Sequence, residues 1–217
     1  MSTPRYRSVV FDADSTLVSI EGIDWLGAQR GDDVGAAVQA LTDRAMAGDI
    51  SLEQVYLSRL GAIRPTRREL KLLGDAYIAA VEPGAHELFA ALRQHHVHVA
   101  IVSGGLRDAL LPLASSLGVA ASSVFAVDVT FNTLGEYVSL AGHQPLSQQS
   151  GKPRVVRELA LTRPSAMIGD GSTDAAVRGT TDVFIAYTRV ARRPLVVARA
   201  DAEARNFAEL TALLFEP

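Results

Sequence analysis

The sequence predicts an α/β fold: a doubly wound, mostly parallel sheet with a small helical unit inserted directly after its first strand. Three observations carry this. From residue 83 onward, short apolar runs alternate with amphipathic segments, the pattern of a parallel sheet covered on both faces. One further apolar run, Ser8-Val9-Val10-Phe11, stands alone near the start. Between the two lies a stretch of about sixty residues with helical periodicity and no strand signal.

Taken in order, Arg7–Phe11 reads as a buried strand. From Ser19 to Glu82, Val34, Val38, Leu41 and Ala45 share a helical face, then Leu52, Val55 and Tyr56, then Leu70, Leu73 and Tyr77. Gly31-Asp32-Asp33, Gly48-Asp49 and Arg64-Pro65-Thr66 separate these helices. Ser51 and Thr66 are placed to cap the last two, each followed by a glutamate, Glu53 or Glu69. At Pro83-Gly84 the texture changes. Helices are expected at His86–Gln94, Leu106–Leu117, Pro153–Leu161, Ser172–Arg178 and Asn206–Leu214. Strands are expected at Val97–Val102, Val124–Val129, Ala166–Ile168 and Val183–Ala186, with a hairpin over 131–137 turning at Gly135. Residues 1–18 and 83–217 would form the core and 19–82 a helical cap, with hinges near Val18–Ile20 and Pro83-Gly84.

Composition narrows the function. A chain of 217 residues, 48% apolar, supports one large domain or a core with a small companion. A net charge of −3 gives no footprint for nucleic acid or an anionic membrane, and the pairs Arg67-Arg68 and Arg192-Arg193 read as solvated faces. The absence of cysteine excludes disulfides, thiol nucleophiles and cysteine-bound zinc. His95, His96 and His98 straddle a helix-to-strand turn, with no acid nearby to complete a metal set. No apolar run is long enough to span a bilayer, and the first seven residues lead into a strand rather than a signal sequence. The expectation is a soluble cytoplasmic protein, monomer or homodimer, whose partner is a small molecule.

In doubly wound sheets ligands bind beyond the carboxyl ends of the strands. Asp12, Ser103 and Asp170 each follow an apolar run immediately, so three segments bring chemistry to one edge. Alone, Asp12-Ala13-Asp14 is a common strand exit, Ser103-Gly104-Gly105 a tight loop, and Asp170-Gly171-Ser172 a turn with a cap. Together with Lys152 they make a site for a phosphate monoester. A carboxylate attacking a dianionic phosphate needs charge neutralisation. Mg²⁺ suits this, held by Asp12, Asp170 and the backbone carbonyl of Asp14. Lys152 adds positive charge; the Ser103 hydroxyl and the amides of Gly104 and Gly105 can bind phosphate oxygens. Asp12 would then form an aspartyl-phosphate, while Asp14 protonates the leaving alkoxide and later deprotonates water.

At these residues the chain resembles the haloacid dehalogenase superfamily, specifically its phosphoserine phosphatases. All four superfamily motifs occur in order, and the resemblance covers nearly the whole chain. Asp14 supplies the second aspartate of Asp-x-Asp-x-Thr, which the phosphatase branch carries and the dehalogenases lack. The resemblance implies that Glu21, in Glu21-Gly22-Ile23-Asp24, contacts a substrate ammonium. It implies that Met46, in Thr42-Asp43-Arg44-Ala45-Met46, lines the pocket, and that Arg59 binds a carboxylate. Thr173 matches a substrate-side position in Gly171-Ser172-Thr173-Asp174, and Asp174 supports the metal ligands from behind. The implied activity is Mg²⁺-dependent hydrolysis of O-phosphoserine in serine biosynthesis. O-phosphoserine offers an ammonium, a carboxylate and a phosphate, which Glu21, Arg59 and the magnesium site answer in turn. The alternative is a related phosphatase or phosphotransferase for another small phosphomonoester. A non-enzymatic receiver phosphorylated on Asp12 would need neither Asp14 nor a cap. Thr188-Arg189 stands where the family commonly has two glycines, which would bring a cation to the site's rim.

Overall fold

The computed structural model describes residues 3–31, 37 and 52–216. Its strands are β1 (Ser8–Phe11), β2 (His98–Leu106), β3 (Val124–Val127), β4 (Val129–Phe131), β5 (Tyr137–Leu140), β6 (Ser165–Gly169), β7 (Val183–Tyr187) and β8 (Ala202–Ala204). Six of them form one sheet in the order β3-β2-β1-β6-β7-β8, every pairing parallel. Every residue of β1 and β6 is buried, so these strands read as unbroken apolar runs rather than alternating ones. The Phe11 ring packs against Phe89 of the Ala85–Gln94 helix, centroids 4.7 Å apart.

Register is what positions the site. Phe11, the last residue of β1, pairs with Ile101 on one side and Ile168 on the other. The amide of Asp12 then donates to the Ile168 carbonyl at 2.9 Å. Asp12, Ser103 and Asp170 therefore emerge at neighbouring heights on one sheet edge.

Within 19–82 the described helices are Gly22–Ala28, Leu52–Ile63 and Arg67–Ala79. Val34, Val38, Leu41, Ala45 and Ser51 lie outside the described residues. Leu70, Leu73 and Tyr77 form the expected buried stripe. The two linkers of the insertion run side by side: Ser19 donates to the Ala80 carbonyl (3.0 Å), Glu82 to that of Leu17 (2.9 Å), and Val18 bridges Val81 antiparallel. Contact with the core extends beyond these linkers. The Arg67–Ala79 helix packs along the Arg107–Ser116 helix. The β4–β5 hairpin touches the insertion's far end: the Arg67 amide donates to Gly135 (2.9 Å), and its guanidinium lies 4.8 Å from the centre of the Phe131 ring.

Several elements differ from expectation, among them the strand expected at Val124–Val129, which divides into β3 and β4. β2 continues through Ser103-Gly104-Gly105 to Leu106, with its register against β3 shifting between Val102 and Leu106. The helix expected over Ser172–Arg178 is a single turn, Ser172–Ala175. β8 and the short Pro194–Val197 helix carry no sequence signal; β8 forms because β7 offers it an open edge. Among the described residues no helix is long and apolar enough to cross a membrane.

Thr66 caps its helix with a reciprocal box, accepting from the Glu69 amide at 3.2 Å while its own amide donates to Glu69 at 2.7 Å. Arg30 grips the same carboxylate through both terminal nitrogens. These bonds, Arg30's first, hold the Glu69 carboxyl down at about 2. A depressed folded pKa stabilises the fold fully above the ordinary value and loses that contribution as pH falls through the folded one. Glu69→Gln should therefore destabilise the protein at neutral pH by about 1 kcal/mol after solvent screening, and by progressively less from pH 4.5 toward 2. Urea melts of both forms across that range check this; a pH-independent difference counts against it.

Candidate active site

Lys152 is the centre of the charge arrangement. It sits in the first turn of the Gly151–Glu158 helix, 5% exposed, with its ammonium 2.8 Å from Asp12 Oδ1 and 2.5 Å from Asp174 Oδ1. Burial opposes its charge, but the two carboxylates outweigh burial and raise its pKa above the ordinary lysine value. Asp174 is fully buried, and its second oxygen accepts from the Gly171 amide at 2.9 Å. Burial and the Asp12 charge push its carboxyl upward, against Lys152 and that amide. Gly169 makes room for it: a Cβ there would lie 2.2 Å from Asp174 Cγ.

Oxygens of Asp12, Asp170 and Asp174 lie within 4.8 Å of one another. Asp12 Oδ1 and Asp170 Oδ2 are buried without a hydrogen bond, although each touches a cation, Lys152 and Arg193 respectively. Close, buried carboxylate oxygens with free lone pairs are the donors a hard divalent cation takes. The donor set fits such an ion. Both oxygens of Asp174 are already engaged, by Lys152 and by the Gly171 amide.

Asp14 turns away from this cluster. Its Oδ1 accepts from the Tyr77 hydroxyl (2.7 Å) and the Gly22 amide (3.1 Å). Burial foremost, then the Glu21 charge, push its carboxyl up to about 7, against those two hydrogen bonds. Glu21 accepts from Ser15, which holds the left-handed turn after the motif, at 2.6 Å. Ser103 is buried, and its hydroxyl oxygen accepts from the Gly105 amide at 3.1 Å. That amide is therefore not free for a ligand as the sequence suggested, but the Ser103 proton is. The Gly104 carbonyl accepts from Tyr56 of the insertion at 2.8 Å.

One cavity of about 750 Å³ collects these groups. Asp12, Asp14, Glu21, Arg59, Ser103, Gly104, Lys152, Asp170, Thr173 and Asp174 all line it, whereas Gly105 lies behind it. Met46 lies outside the described residues. The insertion adds Ile23, Val55 and Tyr56. Arg59 pairs with the exposed Asp24, keeps a buried Nε without a partner, and has its pKa lowered chiefly by burial.

Some residues at the site carried no usable signal. Tyr77 and Tyr56 read only as apolar helical positions. Arg193 is exposed, as read, but it also contacts the Asp170 carboxylate and donates to its backbone carbonyl at 3.1 Å. Its neighbour Arg192 pairs with Glu203. The expected rim cation, Arg189, is directed elsewhere, onto the buried Glu82 at 2.9 Å. His95 packs edge-on against Phe215, and none of the three histidines joins a metal-competent cluster among the described residues.

Acids, a cation and a hydroxyl at the carboxyl edge of a parallel sheet define a hydrolase site for charged small molecules. The chain belongs to the haloacid dehalogenase-like hydrolases, whose family model matches residues 9–177. More particularly, it is similar to the chloroplastic phosphoserine phosphatase of Arabidopsis thaliana, 36% identical over 90% of this chain and 67% of that protein. It is 34% identical to the phosphoserine phosphatase of Mus musculus, over 96% of this chain and 93% of the relative. Among solved structures, a phosphoserine phosphohydrolase-like protein from Francisella tularensis superposes with a TM-score of 0.83 at 27% identity, covering 96% of this chain and 99% of the other. The chain is accordingly an enzyme that hydrolyses phosphoric monoesters.

Proposed function

We propose that this enzyme hydrolyses O-phosphoserine to serine and phosphate through an aspartyl-phosphate on Asp12, the last step of serine biosynthesis. One observation carries the substrate. The cavity that joins Asp12, Lys152 and Asp170 is lined on the insertion side by a carboxyl group, Glu21, and a guanidinium, Arg59. A phosphorylated amino acid presents the complementary charges, and the relatives' names point the same way.

In this reading, residues 1–18 and 83–217 are the catalytic core and 19–82 the cap. Asp12 attacks phosphorus. The Ser103 hydroxyl and Lys152 neutralise the phosphate oxygens as charge spreads over them. Asp14, whose carboxyl near 7 can hold a proton at neutral pH, protonates the departing serine oxygen and then takes a proton from water. Asp12, Asp170 and the Asp14 backbone carbonyl would hold Mg²⁺, which when bound supplies positive charge to the phosphate. Asp174 and Lys152 keep those carboxylates in place. Arg59 would exchange Asp24 for the substrate carboxylate, and Glu21 would receive the ammonium. Met46 and Thr173 complete the substrate side.

The test is phosphate release from a panel of phosphoserine, phosphoethanolamine, glycerol phosphate and an aryl phosphate, with Mg²⁺ and with chelator. Phosphoserine should lead in kcat/KM, and chelator should abolish release. A different leader would redirect the substrate assignment to another small phosphomonoester. Arg59→Ala should lower kcat/KM on phosphoserine by about 30- to 100-fold, the worth of a charge-assisted pair. Phosphoethanolamine, which lacks the carboxylate, should lose far less; equal losses would remove the amino-acid part of the proposal.

A further inference from the structure

We infer that Tyr77 is a positioning residue for the reaction: with the Gly22 amide it occupies one oxygen of Asp14, and so places the transferable proton on the other. The inference rests on the role proposed above for Asp14 and adds what makes that role directional.

Tyr77 ends the buried stripe of the Arg67–Ala79 helix and is fully buried. Its hydroxyl donates to Asp14 Oδ1 at 2.7 Å, the only hydrogen-bond partner it has among the described residues. The Gly22 amide donates to the same oxygen at 3.1 Å. An amide can only donate, and a buried phenol with one acceptor in reach donates to it. A proton on Oδ1 would face both donors and leave the Tyr77 hydrogen without an acceptor, a costly arrangement in a buried site. The carboxyl proton therefore belongs on Oδ2. That oxygen faces the Ser103–Gly105 segment: a Cβ placed on Gly105 would meet both Asp14 Oδ2 and Ser103 Oγ at 3.4 Å. Oδ2 thus lies on the side of Ser103, which lines the cavity together with Asp14.

Close approach of two segments builds the device. A Cβ on Gly22 would lie 1.9 Å from the Tyr77 hydroxyl oxygen and 2.9 Å from the ring carbon bearing it. Only glycine lets the amide and the phenol converge on one oxygen. Packing of the Tyr77 helix along the Arg107–Ser116 helix fixes the phenol relative to the core.

As the Asp12–phosphorus bond forms, the bond from phosphorus to the substrate oxygen breaks, and the Oδ2 proton passes to that oxygen to give the alcohol. Asp14 is left as a carboxylate with Oδ1 still held by Tyr77 and Gly22. In the second half, Oδ2 takes a proton from water as the water oxygen attacks phosphorus and the Asp12–phosphorus bond breaks.

Proton donation matters for an alkoxide leaving group and little for nitrophenolate, which gives a readout that a merely structural role would not move. We expect Tyr77→Phe to lower kcat/KM for phosphoserine by about 10- to 30-fold, and for p-nitrophenyl phosphate by less than about threefold. Asp14→Asn should show the same discrimination more strongly. Tyr56→Phe, which removes a hydroxyl bonded to the Gly104 carbonyl rather than to Asp14, should lower both substrates by one common factor. Equal losses on both substrates in Tyr77→Phe, or none, would overturn the inference while Asp14→Asn still discriminates. If Asp14→Asn does not discriminate, the acid role of Asp14 fails first and the inference with it. Should Tyr77→Phe not fold, Gly22→Ala displaces the hydroxyl from the other side and must show the same preference for the aryl substrate.

Discussion

Asp12→Asn is expected to lower turnover by at least about 10⁴-fold, the scale on which removal of a catalytic nucleophile acts. The amide is a poor nucleophile, and its neutral oxygen is a weaker ligand for a hard cation than a carboxylate. The fold should survive, because Lys152 retains Asp174 as a partner at 2.5 Å. The decisive measurement is acid-quenched phosphoenzyme. The native chain should carry phosphate on the peptide containing Asp12, detected by mass spectrometry, and the variant none. Turnover in the variant within about tenfold of native would sink the covalent mechanism.

Lys152→Met should combine the largest stability loss with a loss of activity. The side chain is nearly isosteric, so packing changes little, but Asp12 and Asp174 are left facing each other, both buried, without a counter-charge. Removing one partner of a buried ionic set costs about 3–5 kcal/mol, which for a chain of this size lowers Tm by about 10 °C. Activity should fall by about 10³-fold, since the phosphate loses its fixed cation. Adding Asp174→Asn to Lys152→Met should restore much of the stability and none of the activity. Parallel recovery of both would mean that Lys152 serves only to hold the fold together.

How much of this was legible in the chain can be judged residue by residue. The strand exits at Asp12, Ser103 and Asp170 were readable because each ends an apolar run, and parallel register then places them at neighbouring heights. Lys152 and Asp174 were readable from motif order. Tyr77 was read as one more apolar position in a helical stripe, because periodicity reports that a side chain is buried and not what its hydroxyl meets there. The contact of the exposed Arg193 with Asp170 was not legible because a short basic pair has no local feature that shows which distant acid one of its members reaches. The rim cation anticipated at Arg189 failed for the same reason: its partner, Glu82, is distant in sequence. β8 was invisible because its three residues carry no alternation and depend on the edge that β7 presents.

The sequence by itself determined the kind of chemistry. Carboxylate, hydroxyl and ammonium groups at strand ends retain their chemical character wherever the chain puts them, and local apolar runs decide that the ends are strand ends. Tertiary structure alone decided the different surroundings of the two aspartates of the first motif. Asp12 faces Lys152, whereas Asp14 faces Tyr77 and Gly22. The physical reason is that a carboxyl's proton affinity and direction depend on burial and on donors brought from other segments. Tyr77 lies 63 residues along the chain from Asp14, and no local pattern encodes that meeting.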